Sequence, residues 1–197
     1  MKVGFIGLGN AGGKLAGSIL RNGFDLTVHD LNTSFVEDFI KRGAKSVNSP
    51  REIAERCDVV ITCLPSPKAC SEVMESSDGI LSGLSKGKIW LEMSTTDEAE
   101  IRRIGSLVEA IGALPIDCPV SGGCHRADTG NISIFAGCSR EAFEKALPIL
   151  TTMGRRVLHT GSLGTASTLK VIEENSPYKG KKLHLSMDTN PYYVDDD

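Results

Sequence analysis

The opening segment KVGFIGLGNAG runs a short apolar stretch, Lys2 to Ile6, straight into Gly7-Leu8-Gly9-Asn10-Ala11-Gly12. A G-x-G-x-x-G turn that leaves a strand and opens a helix restricts a fold severely, because each glycine serves one geometry. The first permits the tight turn, the second lets backbone approach a pyrophosphate, and the third lets helix and strand pack closely. The helix N-terminus then faces the anion. Asp30 follows the next apolar run, Leu26 to His29, where a carboxylate can accept hydrogen bonds from the hydroxyls of an adenine ribose. The plain structural alternative is a glycine-rich turn beside a solvated aspartate. If a dinucleotide binds, Asp30 favours NAD over NADP: it repels a 2′-phosphate, and neither Leu31 nor Asn32 supplies a cation to receive one.

The rest of the chain repeats this alternation as far as His159. The pattern predicts helices over Gly12–Asn22, from Lys68, over Asp97–Ile111 and over Arg140–Met153. It predicts strands at Asp58–Leu64, Ile89–Glu92, Leu114–Cys118, Ile132–Ala136 and Arg156–His159. Ser34-Phe35-Val36-Glu37 and Ser49-Pro50-Arg51-Glu52 both read as capping boxes. The uninterrupted apolar run DVVITCL suits a strand covered on both faces. Together these imply an α/β fold of Rossmann type, a doubly wound and mostly parallel sheet over residues 1–161, with a further helix started in 162–175. Beyond Asn175 neither periodicity persists, and 176–197 reads as an irregular, mostly disordered tail.

With 197 residues the chain has room for one full domain and an appendage. Its 22 basic and 25 acidic side chains give a formal charge of -3 and no basic stripe, which argues against a nucleic-acid partner. No segment approaches the roughly 18 apolar residues of a membrane span, and the glycines interrupt the N-terminal apolar stretch too early for a signal peptide. A cytoplasmic location is the resulting expectation. The six cysteines form no C-x-x-C pair and read as buried thiols. No metal site is suggested.

Further motifs lie at strand ends. DCPVSGG, Asp117 to Gly123, could turn the Ser121 hydroxyl and successive amides toward a carboxylate, although taken alone it reads more readily as a loop capping a strand. Thr95-Thr96-Asp97-Glu98 has the form of a capping box.

The set GLGNAGGKLA, LPSP, STTD, DCPVSGG and GSLGTASTLKVI, in this order and spacing, resembles the β-hydroxyacid dehydrogenase family, which includes 3-hydroxyisobutyrate dehydrogenase. The resemblance runs from Met1 to about Ile172. It implies that Gly7, Leu8, Gly9, Asn10, Ala11 and Gly12 cradle the phosphates of NAD and that Asp30 holds its ribose. Leu64 and Pro65 would line the cofactor groove, with Thr95 near the nicotinamide. Ser121, Gly122 and Gly123 would bind the carboxylate of a small hydroxyacid, and Lys170 would exchange a proton with its hydroxyl or carbonyl oxygen. The related 6-phosphogluconate dehydrogenases are a second reading, disfavoured by Asp30 and by the continuation Cys124-His125-Arg126-Ala127.

The pattern departs from the family near its end. Glu173 and Glu174 stand where the resemblance calls for an asparagine pair. A glutamate one turn from Lys170 reaches the same helix face, where it could pair with the ammonium and would repel an anionic substrate; both are nevertheless expected to be solvated at a frayed helix end, which Pro177 then stops. The family's helical second domain cannot be built from the roughly 20 residues that remain. The sequence therefore raises the expectation of a truncated or alternative product, a catalytically incomplete NAD(P)-binding module. Surface that such a domain normally covers would promote self-association.

Overall fold

Strands that are apolar on both faces need helices on both sides, and the chain supplies them. The computed structural model describes residues 1–175; the tail expected over 176–197 lies outside the described residues. In chain order the elements are β1 (Lys2–Ile6), α1 (Gly12–Arg21), β2 (Asp25–His29), α2 (Thr33–Lys41), β3 (Lys45–Ser46), α3 (Pro50–Arg56), β4 (Val59–Thr62), α4 (Pro67–Glu75), α5 (Ile80–Gly83), β5 (Ile89–Glu92), α6 (Glu98–Ala110), β6 (Leu114–Asp117), β7 (Val120–Ser121), α7 (Cys124–Asp128), β8 (Ile132–Gly137), α8 (Arg140–Met153), β9 (Gly154–Gly161) and α9 (Thr165–Asn175). The sheet order is β3-β2-β1-β4-β5-β6-β8-β7, with β9 also paired to β8. Pairing is parallel from β3 through β6 and between β8 and β9, and antiparallel where β8 meets β6 and β7.

Alternate residues of the central strands enter two separate cores. Val3 and Phe5, Val59 and Ile61, and Ile89 and Leu91 face the core built with α1 and α8. Ile6, Val60 and Trp90 face the other, where Ile53, Met74, Ile104 and Val108 cover them. Both faces of the central strands are thus covered by apolar side chains until the strand ends, where Thr62 and Glu92 are buried, which is why DVVITCL shows no alternating polar face.

The winding reverses at β1: β2 and β3 extend to one side, then β4 returns to the other. In an open α/β sheet ligands bind outside the carboxyl ends of the strands at such a point. All the parallel strands from β1 to β6 end on that edge, so the residues that follow them are brought together. Among the described residues no helix is long and apolar enough to cross a membrane, and no cluster of three or more potential ligands could hold a metal ion.

Ser49 caps α3 through the Glu52 amide, with Pro50 in the first turn, as its box predicts. Ser34 does not cap α2: Asn32 does, its amide oxygen accepting from Ser34 N at 3.1 Å, while the Ser34 hydroxyl donates to that same oxygen at 2.6 Å. The Asn32 side chain already reaches the first free amides, so the helix starts before the serine. The box read at Thr95 fails similarly, because the stronger carboxylate acceptor of Asp97 caps α6 through the Glu100 amide at 2.9 Å. The short elements β3, α5, β7 and α7 were not anticipated; two to five residues carry too little periodicity to register.

The reassigned cap gives a direct prediction. Asn32→Ala should lower unfolding free energy by about 1 kcal/mol, whereas Ser34→Ala should lower it by only a few tenths, roughly the surface-substitution scale. Urea denaturation of both variants measures the difference.

Candidate functional site

The turn after β1 is built as its glycines require. Gly7 takes φ +96°, and a side chain on Gly12 would approach the Gly7 carbonyl oxygen to 1.9 Å, so helix and turn close only with glycine there. Above Gly9 there is open space. Helix α1 has Ala11 at its N-cap, with no side-chain cap and no acidic residue in its first turn, which leaves the positive end of the helix directed outward.

Asp30 fixes this turn to the end of β2. One carboxylate oxygen accepts from Leu8 N at 2.5 Å and the other from Asn32 N at 2.7 Å. Each oxygen retains a lone pair for a further donor. The open approach at Gly9, the uncapped helix and the half-buried carboxylate together fit the pyrophosphate and ribose of a dinucleotide.

The ends of β4 and β5 are held by a buried network that sequence reasoning missed. Glu92 is fully buried. Its carboxyl accepts from Ser94 N at 2.7 Å, from the Thr62 hydroxyl at 2.7 Å and from the Cys70 thiol at 2.8 Å. Trp90 Nε1 donates to the same Thr62 hydroxyl at 2.9 Å. The Ser94 hydroxyl in turn accepts from Leu64 N at 2.7 Å, so Glu92 positions the Leu64-Pro65 loop through Ser94. Burial pushes the Glu92 carboxyl above its usual range, against the opposing pull of these bonds. Burial also pushes the Cys70 thiol up, helped by the Glu92 charge, and keeps it a donor. The signal available in sequence was an acid ending an otherwise apolar strand. Beyond it, Thr95 is exposed, while among the described residues Thr96 Oγ1 is the buried side-chain polar atom left without a partner.

Asp117 ends β6 and is buried as well. It accepts from Ser167 N at 2.7 Å and from the Ser167 hydroxyl at 2.6 Å, fastening α9 to the sheet. A second tie runs from the Thr168 hydroxyl to Glu98 at 2.8 Å. Lys170 lies less than one turn further along this helix, so its position is set by two side-chain anchors on different elements.

The loop after β7 turns through Gly122 (φ +119°) and Gly123 (φ +84°), both in backbone that favours glycine. Ser121 stands at its base, its strand paired with Ser133 of β8. The Ser121 hydroxyl donates to Glu173 Oε1, and Lys170 Nζ lies 3.3 Å from Glu173 Oε2. The lysine side chain is 11% exposed and the glutamate 32%. The expectation of a solvated Glu173 is therefore overturned: on a helix turn fixed by Asp117 and Glu98, its carboxylate points inward between a hydroxyl and an ammonium. Four of the six cysteines are buried, Cys63 is half-buried and Cys124, directly after Gly123, is exposed.

The chain is similar in sequence and fold to known proteins. A family model described as the NAD binding domain of 6-phosphogluconate dehydrogenase matches residues 2–161. The chain is 36% identical over 169 residues to the mitochondrial 3-hydroxyisobutyrate dehydrogenase of Mus musculus, covering 86% of this chain and 50% of that protein. It is 35% identical over 170 residues to the NAD-dependent L-serine dehydrogenase of Pseudomonas aeruginosa, covering 86% and 57% respectively. Among solved structures, 3-hydroxyisobutyrate dehydrogenase from Salmonella typhimurium superposes with a TM-score of 0.82 at 29% identity, covering 87% of this chain and 60% of that one. The Mycobacterium tuberculosis 3-hydroxyisobutyrate dehydrogenase with L-serine gives 0.82 at 25% identity, covering 86% and 57%. The chain spans about half the length of the curated relatives it matches.

The buried Glu92 leaves a signature in pH. A carboxyl whose folded-state pKa lies above its unfolded value contributes stability that is full below the unfolded value, 4.5, and lost as pH rises through the folded one. The stability of the natural chain minus that of Glu92→Gln should therefore fall from pH 4.5 upward and level off once the folded pKa is passed. Urea unfolding across that range measures it, and a difference that rises with pH would refute the assignment.

Proposed function

The chain belongs to the family described as the NAD binding domain of 6-phosphogluconate dehydrogenase, and from that membership we propose that it carries the cofactor and proton-transfer half of a dehydrogenase of small β-hydroxyacids. The 3-hydroxyisobutyrate dehydrogenase-like reading fits better than the 6-phosphogluconate one, given the relatives it resembles. The observation that carries it is the meeting of Ser121 and Lys170, from separate elements, on one carboxylate. A hydroxyl that can donate to a carboxylate, with an ammonium beside it to attract the anion and reach its hydroxyl oxygen, is what the placing of a small hydroxyacid requires.

In this reading Gly7, Leu8, Gly9, Asn10, Ala11 and Gly12 cradle the phosphates, and Asp30 accepts from the ribose hydroxyls. Leu64 and Pro65 line the groove, and Thr95 lies beside the nicotinamide. Ser121, Gly122 and Gly123 orient the substrate carboxylate. Bound NAD supplies the hydride acceptor, or NADH the donor, at the substrate carbon. Lys170 holds or gives the proton at the substrate oxygen, relieving the charge that develops there. Asp117 acts through Ser167 to keep that lysine in place, and Glu92 acts through Ser94 on the groove. The reading also takes the location to be cytoplasmic, and 1–161 as the dinucleotide-binding unit with 162–175 leading from it.

Glu173 favours a second reading, a nucleotide-binding module that does not turn over, because it already fills the place between Ser121 and Lys170. NADH formation from 3-hydroxyisobutyrate and saturating NAD separates the two. Turnover that drops by at least about 100-fold in Lys170→Ala, with NADH binding retained, supports the dehydrogenase; absence of turnover from folded, NADH-binding chain supports the module. NAD preference follows from Asp30: NADPH should bind about tenfold more weakly than NADH, which ~1.4 kcal/mol of repulsion by the carboxylate would produce. Equal affinities by calorimetry would refute the role. Self-association is expected through the exposed Val171 and Ile172, and sedimentation of a monomer at high concentration would argue against it.

A further inference from the structure

The residue between Ser121 and Lys170 belongs to the chain itself. Glu173 Oε1 accepts from the Ser121 hydroxyl, and Glu173 Oε2 faces Lys170 Nζ at 3.3 Å. The two oxygens thus divide between a neutral donor and a cation, as those of a bound carboxylic acid would. The contact is not that of an idle surface side chain. Lys170 is nearly buried, and Glu173 is about two-thirds withdrawn from solvent. The helix turn before them is held by Ser167 on buried Asp117 and by Thr168 on Glu98. With that turn fixed, i to i+3 spacing directs Glu173 onto the same face as Lys170.

We propose that Glu173 is a specificity-determining residue: an internal carboxylate that holds the anion seat formed by Ser121 and Lys170, so that an acid binds only by displacing it. This rests on the reading of that seat given above. Two effects act together against an anionic ligand. Its carboxylate must compete for the same hydroxyl and ammonium, and if Glu173 stays close it meets a like charge across a partly desolvated gap, where repulsion exceeds its value in water. A neutral ligand bearing a hydroxyl in place of the carboxylate escapes the second effect. The site is therefore biased away from anions relative to what Ser121 and Lys170 alone would accept.

The test compares the natural chain, Glu173→Gln and Ser121→Ala/Glu173→Gln, each with and without saturating NADH. The probes are 3-hydroxyisobutyrate and its uncharged analogue 2-methyl-1,3-propanediol, titrated by ligand-observed NMR. Glu173→Gln should tighten the dissociation constant of the acid by about tenfold, a modest share of the like-charge repulsion in a half-buried site. The diol should change less than about twofold, roughly the tenths-of-a-kcal/mol scale of a surface change, and the added Ser121→Ala should remove the gain. No gain for the acid, including no binding by either chain, or an equal gain for the diol, overturns the proposal. If Glu173→Gln fails to fold, Glu173→Ala carries the same comparison. Failure of NADH to bind the natural chain would instead overturn the cofactor reading, while titrations without NADH still report on Glu173.

Discussion

The buried contact between Asp117 and Ser167 decides where the chemistry can happen. A carboxylate at the end of β6 accepts both the amide and the hydroxyl of one residue in α9, at 2.7 and 2.6 Å. Together with the Thr168 tie to Glu98 it sets the phase of that helix, and so the places of Lys170 and Glu173. Burial pushes the Asp117 carboxyl up, with a smaller push from the Glu98 charge, and the bonds from Ser167 and the Ala166 amide pull against it. Loss of either partner would leave a buried polar group unpaired, at a penalty of about 1–3 kcal/mol.

The same device recurs along the edge. Asp30 directly follows β2 and holds the phosphate turn by Leu8 N; Glu92 ends β5 and holds the groove loop through Ser94; Asp117 ends β6 and holds the lysine helix. A parallel sheet finishes its strands together, and their last carbonyls and the following amides must find partners. Asp30 and Glu92 each satisfy a local amide, of Asn32 and Ser94, while all three acids tie a distant element to the strand end. The architecture thereby turns a backbone requirement into a way of setting the site, with only Asp30 left open enough to meet a ligand directly.

How much of this the sequence disclosed varied with the kind of signal. The β1 turn, the strand DVVITCL and the Ser49 cap follow from local rules, and the structure matches them. The Ser34 and Thr95 boxes did not hold, because Asn32 and Asp97 were better-placed acceptors in the same turns. Glu92 and Asp117 carried no legible role, since their partners Cys70 and Ser167 lie 22 and 50 residues away and only the fold brings them together. Glu173 was misread for the same reason: solvation is the default for a glutamate near a helix end, and only the placement of Ser121 beside α9 reverses it.

A dinucleotide held by this chain would lie across the carboxyl ends of β1, β2, β4 and β5. Backbone amide NMR of the isotopically labelled chain, titrated with NADH, examines it residue by residue. The largest shifts are expected at Gly7 to Gly12, Leu31 and Asn32, Leu64, and Ser94 to Thr96, with little change in α5 or β3. Saturable shifts confined to other surfaces, or none from a folded chain, would contradict it.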